Sequence, residues 1–198
     1  MRLGGRRGAR NYETLLQAAD DFQADRARDA VRLLTPLRDE MPDAASVREL
    51  LGLSLYRLGR WKAAEKELEA FVDLTDSVEQ HPVLMDCARA QGHHADVARL
   101  WAELGAASPS SELVTEGRIV MAGDLADQGA VRDAITLLER RGGRPVKSPK
   151  DHHLRVWYAL ADLHERAGDL PAARELFRRV MKAEAGFADV AERLAALG

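Results

Sequence analysis

A single cysteine, Cys87, stands in 198 residues, which excludes an internal disulfide and suits a reducing compartment. No apolar run approaches the roughly 18 residues that a membrane span needs. The opening MRLGGRRGAR carries charge with no apolar region behind it, so a secretory signal is not expected. A formal net charge of -3 gives no overall pull towards nucleic acid or acidic membranes. Catalytic signatures are missing as well. The glycine-rich pieces LGGRRG and RRGGRP lack the Gly-Lys-Ser/Thr ending of a phosphate loop, and no HExxH, GxSxG or kinase-like motif occurs. Together these absences predict a soluble cytoplasmic protein that is not an enzyme and needs no cofactor.

Aromatic residues make up only 5% of the chain while hydrophobic residues reach 46%, enough for a core built from helices on small side chains. The clearest stretch runs from Leu154 to Ala185. Trp157, Leu160, Ala161 and His164 follow the i, i+3, i+4, i+7 spacing of one helical face. Gly168 and Asp169 make a break, after which Ala172, Ala173, Leu176, Phe177 and Val180 repeat the spacing. Gly168 can take the positive φ that ends the first helix, Asp169 can cap the second, and Pro171 is tolerated in its first turn. Small residues at Ala161 and Ala173 let two helix backbones approach, with large ones filling the space around the crossing. Neither helix can bury its face alone, so the pair must stack on copies of itself.

The order large, leucine, small, glycine, alanine, aromatic through Trp157, Leu160, Ala161, Gly168, Ala173 and Phe177 resembles the tetratricopeptide repeat, a helix-turn-helix unit. A second clear match spans Ala45 to Ser77 through Leu51, Gly52, Leu55, Gly59, Trp61, Ala64, Leu68 and Phe71. It departs at Arg48, where the family prefers a large apolar residue. Gly52 costs about 1 kcal/mol of helix propensity against alanine, a cost that a helix crossing over it would offset. The resemblance implies an all-α, right-handed α-solenoid of about five hairpins plus a C-terminal capping helix. The expected organisation is a flexible basic tail over 1–10, then one superhelical domain over 11–198. Its units are 11–44, 45–77, 78–114, 115–153 and 154–187, with the capping helix over 187–198. The first turn, QADRA, lacks glycine and reads as about a residue long. In the third unit Pro82 is expected to begin a short first helix, and Ser111 is a candidate cap for the helix after it. Segment 140–150 carries Arg140, Arg141, Arg144, Lys147 and Lys150 and reads as a basic surface insertion.

Metal and nucleophile chemistry is weakly represented. The pairs His93-His94 and His152-His153 point about 100° apart on a helix, and no carboxylate or cysteine cluster completes a ligand set. Cys87 has no base beside it in sequence and reads as core, and His164 lies on an apolar stripe. What remains is the groove that the family resemblance implies, lined by the second, fifth, ninth and twelfth places of each first helix. In the second unit these are Ser46, Glu49, Leu53 and Tyr56; in the fifth they are Arg155, Tyr158, Asp162 and Glu165. Tyr12, Arg89 and Ile119 are looser candidates. Tyr56 and Tyr158 stand out because each offers apolar contact plus a hydroxyl at small entropic cost. The lysine and asparagine with which one subset of the family clamps carboxylates are replaced by Glu49, Leu53, Tyr158 and Asp162, and the acidic residues suggest a neutral or basic peptide. The expected role is therefore a scaffold that holds a partner protein or peptide in the groove. Two alternatives stand beside it: nucleic-acid contact through 1–10 and 140–150, and self-association as a homodimer.

Overall fold

A computed structural model describes residues 5–198, with the side chains of Arg6 and Arg141 outside the description. Among the described residues every regular element is a helix. In chain order they are α1 (Gly5–Gln23), α2 (Ala27–Glu40), α3 (Ala45–Arg57), α4 (Trp61–Thr75), α5 (His81–Ala90) and α6 (His94–Ala107). There follow α7 (Ser111–Asp127), α8 (Val131–Gly142), α9 (Asp151–Arg166), α10 (Leu170–Ala183) and α11 (Val190–Ala196). The fold is an α-solenoid of helical hairpins. The chain divides into two compact units, Met1–Leu100 and Trp101–Gly198, with the division inside α6.

Each hairpin turns in the same way. The residue at the bend lies in the left-handed region: Gly59 at φ 68°, Gly92 at 75°, Gly129 at 85° and Gly168 at 80°. Its N–H donates to the carbonyl three residues back, and the next N–H donates to the carbonyl five residues back, closing the first helix. The first turn is not longer than the others. Asp25 takes the bend at φ 58°, and the Asp25 and Arg26 N–H groups donate to Phe22 and Asp21 at 3.2 and 2.8 Å. A non-glycine residue does the glycine's work there.

The core of the first unit joins α1 to α5 through Ala18, Ala30, Leu34, Leu51, Ala64 and Cys87. Gly52 lies where α4 crosses α3: a Cβ there would meet Leu68 Cγ at 2.6 Å and Ala64 O at 3.3 Å. The lost helix propensity is thus offset by close approach of two backbones. Arg48, the departure from the family pattern, belongs to a polar junction. Glu67 is 2% exposed and accepts from Arg38 Nη1 at 2.6 Å and Arg48 Nη1 at 2.5 Å. Arg48 Nε also donates to Pro42 O at 2.9 Å. One buried carboxylate thereby ties α2, α3 and α4 together. In the second unit Trp157, Phe177, Leu138 and Leu160 form the centre, with Ala161 and Ala173 fully buried at the α9–α10 crossing.

Several boundaries differ from expectation. Residues 5–10 are helical rather than a flexible tail, because Arg7 and Asn11 donate to Glu40 at the end of α2 and hold the added turns of α1 there; residues 1–4 lie outside the described residues. The cap of α7 is Ser110, not Ser111, its hydroxyl accepting from Leu113 N–H at 3.2 Å. Helix α8 runs through Arg140 to Gly142, so only part of the basic segment is loop. Helix α9 starts a turn early, at Asp151, where the Lys150 N–H donates to His153 Nδ1 at 3.1 Å. Asp169 does cap α10, accepting from Ala172 N–H at 3.2 Å.

Two stability measurements follow from these junctions. Glu67→Ala leaves two arginines facing a buried gap and is expected to lower the unfolding free energy by about 3 kcal/mol in a urea titration. Asp25→Gly relieves a left-handed aspartate and is expected to raise it by about 0.5–1 kcal/mol. No gain there would mean that the Asp25 side chain holds the turn in some other way.

Candidate functional site

The first helices of successive hairpins lie side by side, α1, α3 and α5 in the first unit and α7 and α9 in the second. The side chains singled out from sequence project along these two rows. In the first unit Glu49 accepts from Gln80 Nε2 at 2.8 Å. Tyr56 O–H donates to Asp86 Oδ2 at 2.6 Å, and Asp86 also accepts from Arg89 Nε at 2.9 Å. The Tyr56 ring meets Trp61 edge to face at 5.4 Å. Burial first, and then the bond to Asp86, push the Tyr56 hydroxyl well above its ordinary range, so it remains a donor. Arg57 lies over the Phe22 ring at 3.5 Å and donates to Phe22 O at 2.5 Å.

The second unit repeats the device. Arg155 bridges Glu116 on α7 at 2.8 Å and Asp151 on its own helix at 3.0 Å. Asp162 and Glu165 both accept from Arg193 Nη2, each at 2.8 Å. Tyr158 O–H donates to Asp189, and its ring stands 5.4 Å from Phe177 and 5.9 Å from Phe187. Its hydroxyl is pushed up to about 12, by burial first and then by the Asp189 bond. Phe187, Asp189 and Arg193 thus reach α9 from the segment around α11, while α11 itself packs on α10.

All six candidates therefore make contacts within the chain, and five of them reach the next hairpin in the row or the segment that follows. The sixth, Arg155, reaches back to α7. Asp162 and Glu165 share Arg193, and Glu49 accepts from the neutral amide of Gln80, so these carboxylates are held in place while an excess of negative charge remains. Cys87 is fully buried and its thiol is pushed up to about 12, by burial first and then by Asp86 and Glu65. That combination makes it a packing residue.

A cavity of about 580 Å³ lies in the first unit, bounded by α1, the end of α2 and the start of α3. Leu15, Leu37, Met41 and Val47 give it an apolar lining, with Tyr12 and Ser46 at its mouth. Arg7, Asn11 and Glu40 form a polar rim shared with an adjoining hollow that Arg10 also lines. Tyr12 is 62% and Leu16 48% exposed beside it. Sequence reading found Tyr12 and Ser46 but missed the cavity, whose wall needs the helical turns that GRRGAR was not expected to form.

Sequence models of the tetratricopeptide repeat match residues 6–79 and 154–197. The chain belongs to the tetratricopeptide repeat family. Among solved structures it is similar to a thermophilic tetratricopeptide repeat protein of Thermus thermophilus, at 16% identity and TM-score 0.72, covering 94% of this chain and 98% of that one. It is also similar to PilW, a type IV pilus biogenesis factor, at 14% identity and TM-score 0.68 over 94% of this chain and 85% of that one. A chain of the APC/C hetero-tetramer Cut9–Hcn1 matches at 11% identity and TM-score 0.71, over 94% of this chain but 36% of that one. None of the curated proteins matches the sequence. At these identities the likeness is one of fold. As a tetratricopeptide repeat protein, the chain is a helical scaffold of the protein-interaction kind, and no described helix is long and apolar enough to cross a membrane.

The latches carry a stability cost when cut. Tyr158→Phe keeps the ring contacts and removes the hydroxyl's bond to Asp189, so the unfolding free energy is expected to fall by about 1 kcal/mol. Hydrogen exchange should quicken first in α11. Unchanged exchange in α11 would show that the hydroxyl holds nothing.

Proposed function

We propose that the protein holds a segment of another protein against a row of first helices, in the groove that the family's repeats form. The observation that supports this reading most directly is the set of side-chain latches along the row of each unit. Tyr56–Asp86, Glu49–Gln80, Arg155–Glu116 and Arg193–Asp162/Glu165 fix the surface before anything binds. A partner then loses its own freedom on docking while the receptor loses little, which favours affinity from modest buried area. In this reading the six candidates act partly as struts and partly as contacts. Tyr56 and Tyr158 present ring faces, and Glu49, Arg155, Asp162 and Glu165 present polar groups already oriented by their neighbours. No catalytic step is assigned to any of them. The buried thiol of Cys87 suits the reducing interior of the cytoplasm as the place of action.

The test is site-specific crosslinking in native lysate. A photoreactive residue replaces Tyr12 or Leu53 on the first-helix row, and Lys66 on α4 in a control. One protein captured from both row positions, about tenfold above the control, is the expected result. Capture from Lys66 at equal yield, or recovery mainly of nucleic acid, would overturn the reading.

A further inference from the structure

We propose that the cavity between α1, α2 and α3 seats a bulky apolar side chain of a partner segment whose neighbouring residue is acidic, an inference that rests on the groove reading above. There is room: about 580 Å³ is in the roughly 300–1,000 Å³ range of pockets that take a whole small molecule, so a bulky side chain enters together with part of the segment that carries it. The lining fits as well, since Leu15, Leu37, Met41 and Val47 offer dispersion contact and no charge inside. Apolar surface continues outside through Tyr12 and Leu16, which a compact small molecule would leave wet and an extended segment would cover.

Charge at the rim decides what stands next to that side chain. Glu40 accepts from Arg7 Nη2 at 3.1 Å and from Asn11 Nδ2 at 3.4 Å. Those bonds, Arg7's first, hold its carboxyl below the usual carboxylate range, so it stays ionised and already matched. Arg10 lines the same rim, and among the described residues its guanidinium makes no hydrogen bond. Among the described residues the rim therefore carries one cation beyond its carboxylate. A carboxylate on the incoming segment would meet Arg10 in forked geometry, whereas a lysine would be repelled.

The experiment is selection of short random peptides displayed on phage against the full chain, with Ser46→Trp as the counter-selecting variant. Ser46 is exposed at the start of α3, and tryptophan there would fill the mouth without touching the core. Selected peptides, synthesised and labelled, are then titrated by fluorescence anisotropy. The expected peptides carry Phe, Leu, Ile or Met beside Asp or Glu. Their affinity should fall about tenfold in Ser46→Trp and in Arg10→Glu, with unfolding midpoints unchanged. Peptides without an acidic residue, peptides that bind Ser46→Trp equally, or no enrichment over that variant would overturn the proposal. So would a concentration-dependent dimer broken by Ser46→Trp, since the occupant would then be a second copy. Peptides weakened by Leu53→Ala but not by Arg10→Glu would leave the groove reading standing and remove only the cavity.

Discussion

Every hairpin in this chain leaves one apolar face that only its neighbour can cover, and the cover works only if the helices approach closely. At the α3–α4 crossing the approach is so tight that a single methyl on Gly52 would run into Leu68. At the α9–α10 crossing Ala161 and Ala173 play the same part, with Trp157 and Phe177 wrapped round them. Small residues at the crossing and large ones beside it set the angle between helices, and that angle fixes where the next hairpin must lie. The first-helix row is a by-product of this repetition. Nothing in it had to be built separately.

Once the helices are so placed, polar side chains at the row's surface fall within reach of each other about thirty residues apart in sequence. Tyr56 and Asp86 are 30 residues apart, and Arg193 and Asp162 are 31. These bonds are worth little singly at a half-exposed surface, but each spans two hairpins and resists their sliding. The buried carboxylate of Glu67 is a different case. It stabilises only because Arg38 and Arg48 both reach it, and it makes the family's usual apolar residue at position 48 impossible here. A departure from the repeat pattern is thus compensated on another helix.

This explains which features could be read from the sequence. Apolar spacing and the glycines at 59 and 168 report on local geometry, so the hairpins and their turns were legible. The small residues at 52, 161 and 173 were legible for the same reason. Partnerships between distant polar residues leave no periodic trace. Arg48 looked like an exception until Glu67 was seen beside it, and Asp162 and Glu165 looked like free acid until Arg193 was. The turn at Asp25 misled because left-handed backbone is usually announced by glycine, and aspartate can adopt it. The helical start at Gly5 misled more seriously. Two glycines and three arginines in GRRGAR read as solvated tail, yet the stretch is helical, with Arg7 and Asn11 bonded to Glu40 across the hairpin.

That last misreading bears on function. Latches within each unit hold neighbouring first helices in place, and order alone does not discriminate between partners. Selectivity needs groups whose charge or shape is still uncommitted. The added turns of α1 supply both, because they wall off an apolar cavity and bring Arg10 to its rim beside an already neutralised Glu40. A helix begun at Asn11 would keep Tyr12 and Leu15 but lose the wall at Gly8 and the cations. The stretch with the weakest helical signal is therefore the one that gives the repetitive framework a distinguishing corner. Repetition sets the frame, and on the reading proposed above its least regular stretch is where recognition has room to act.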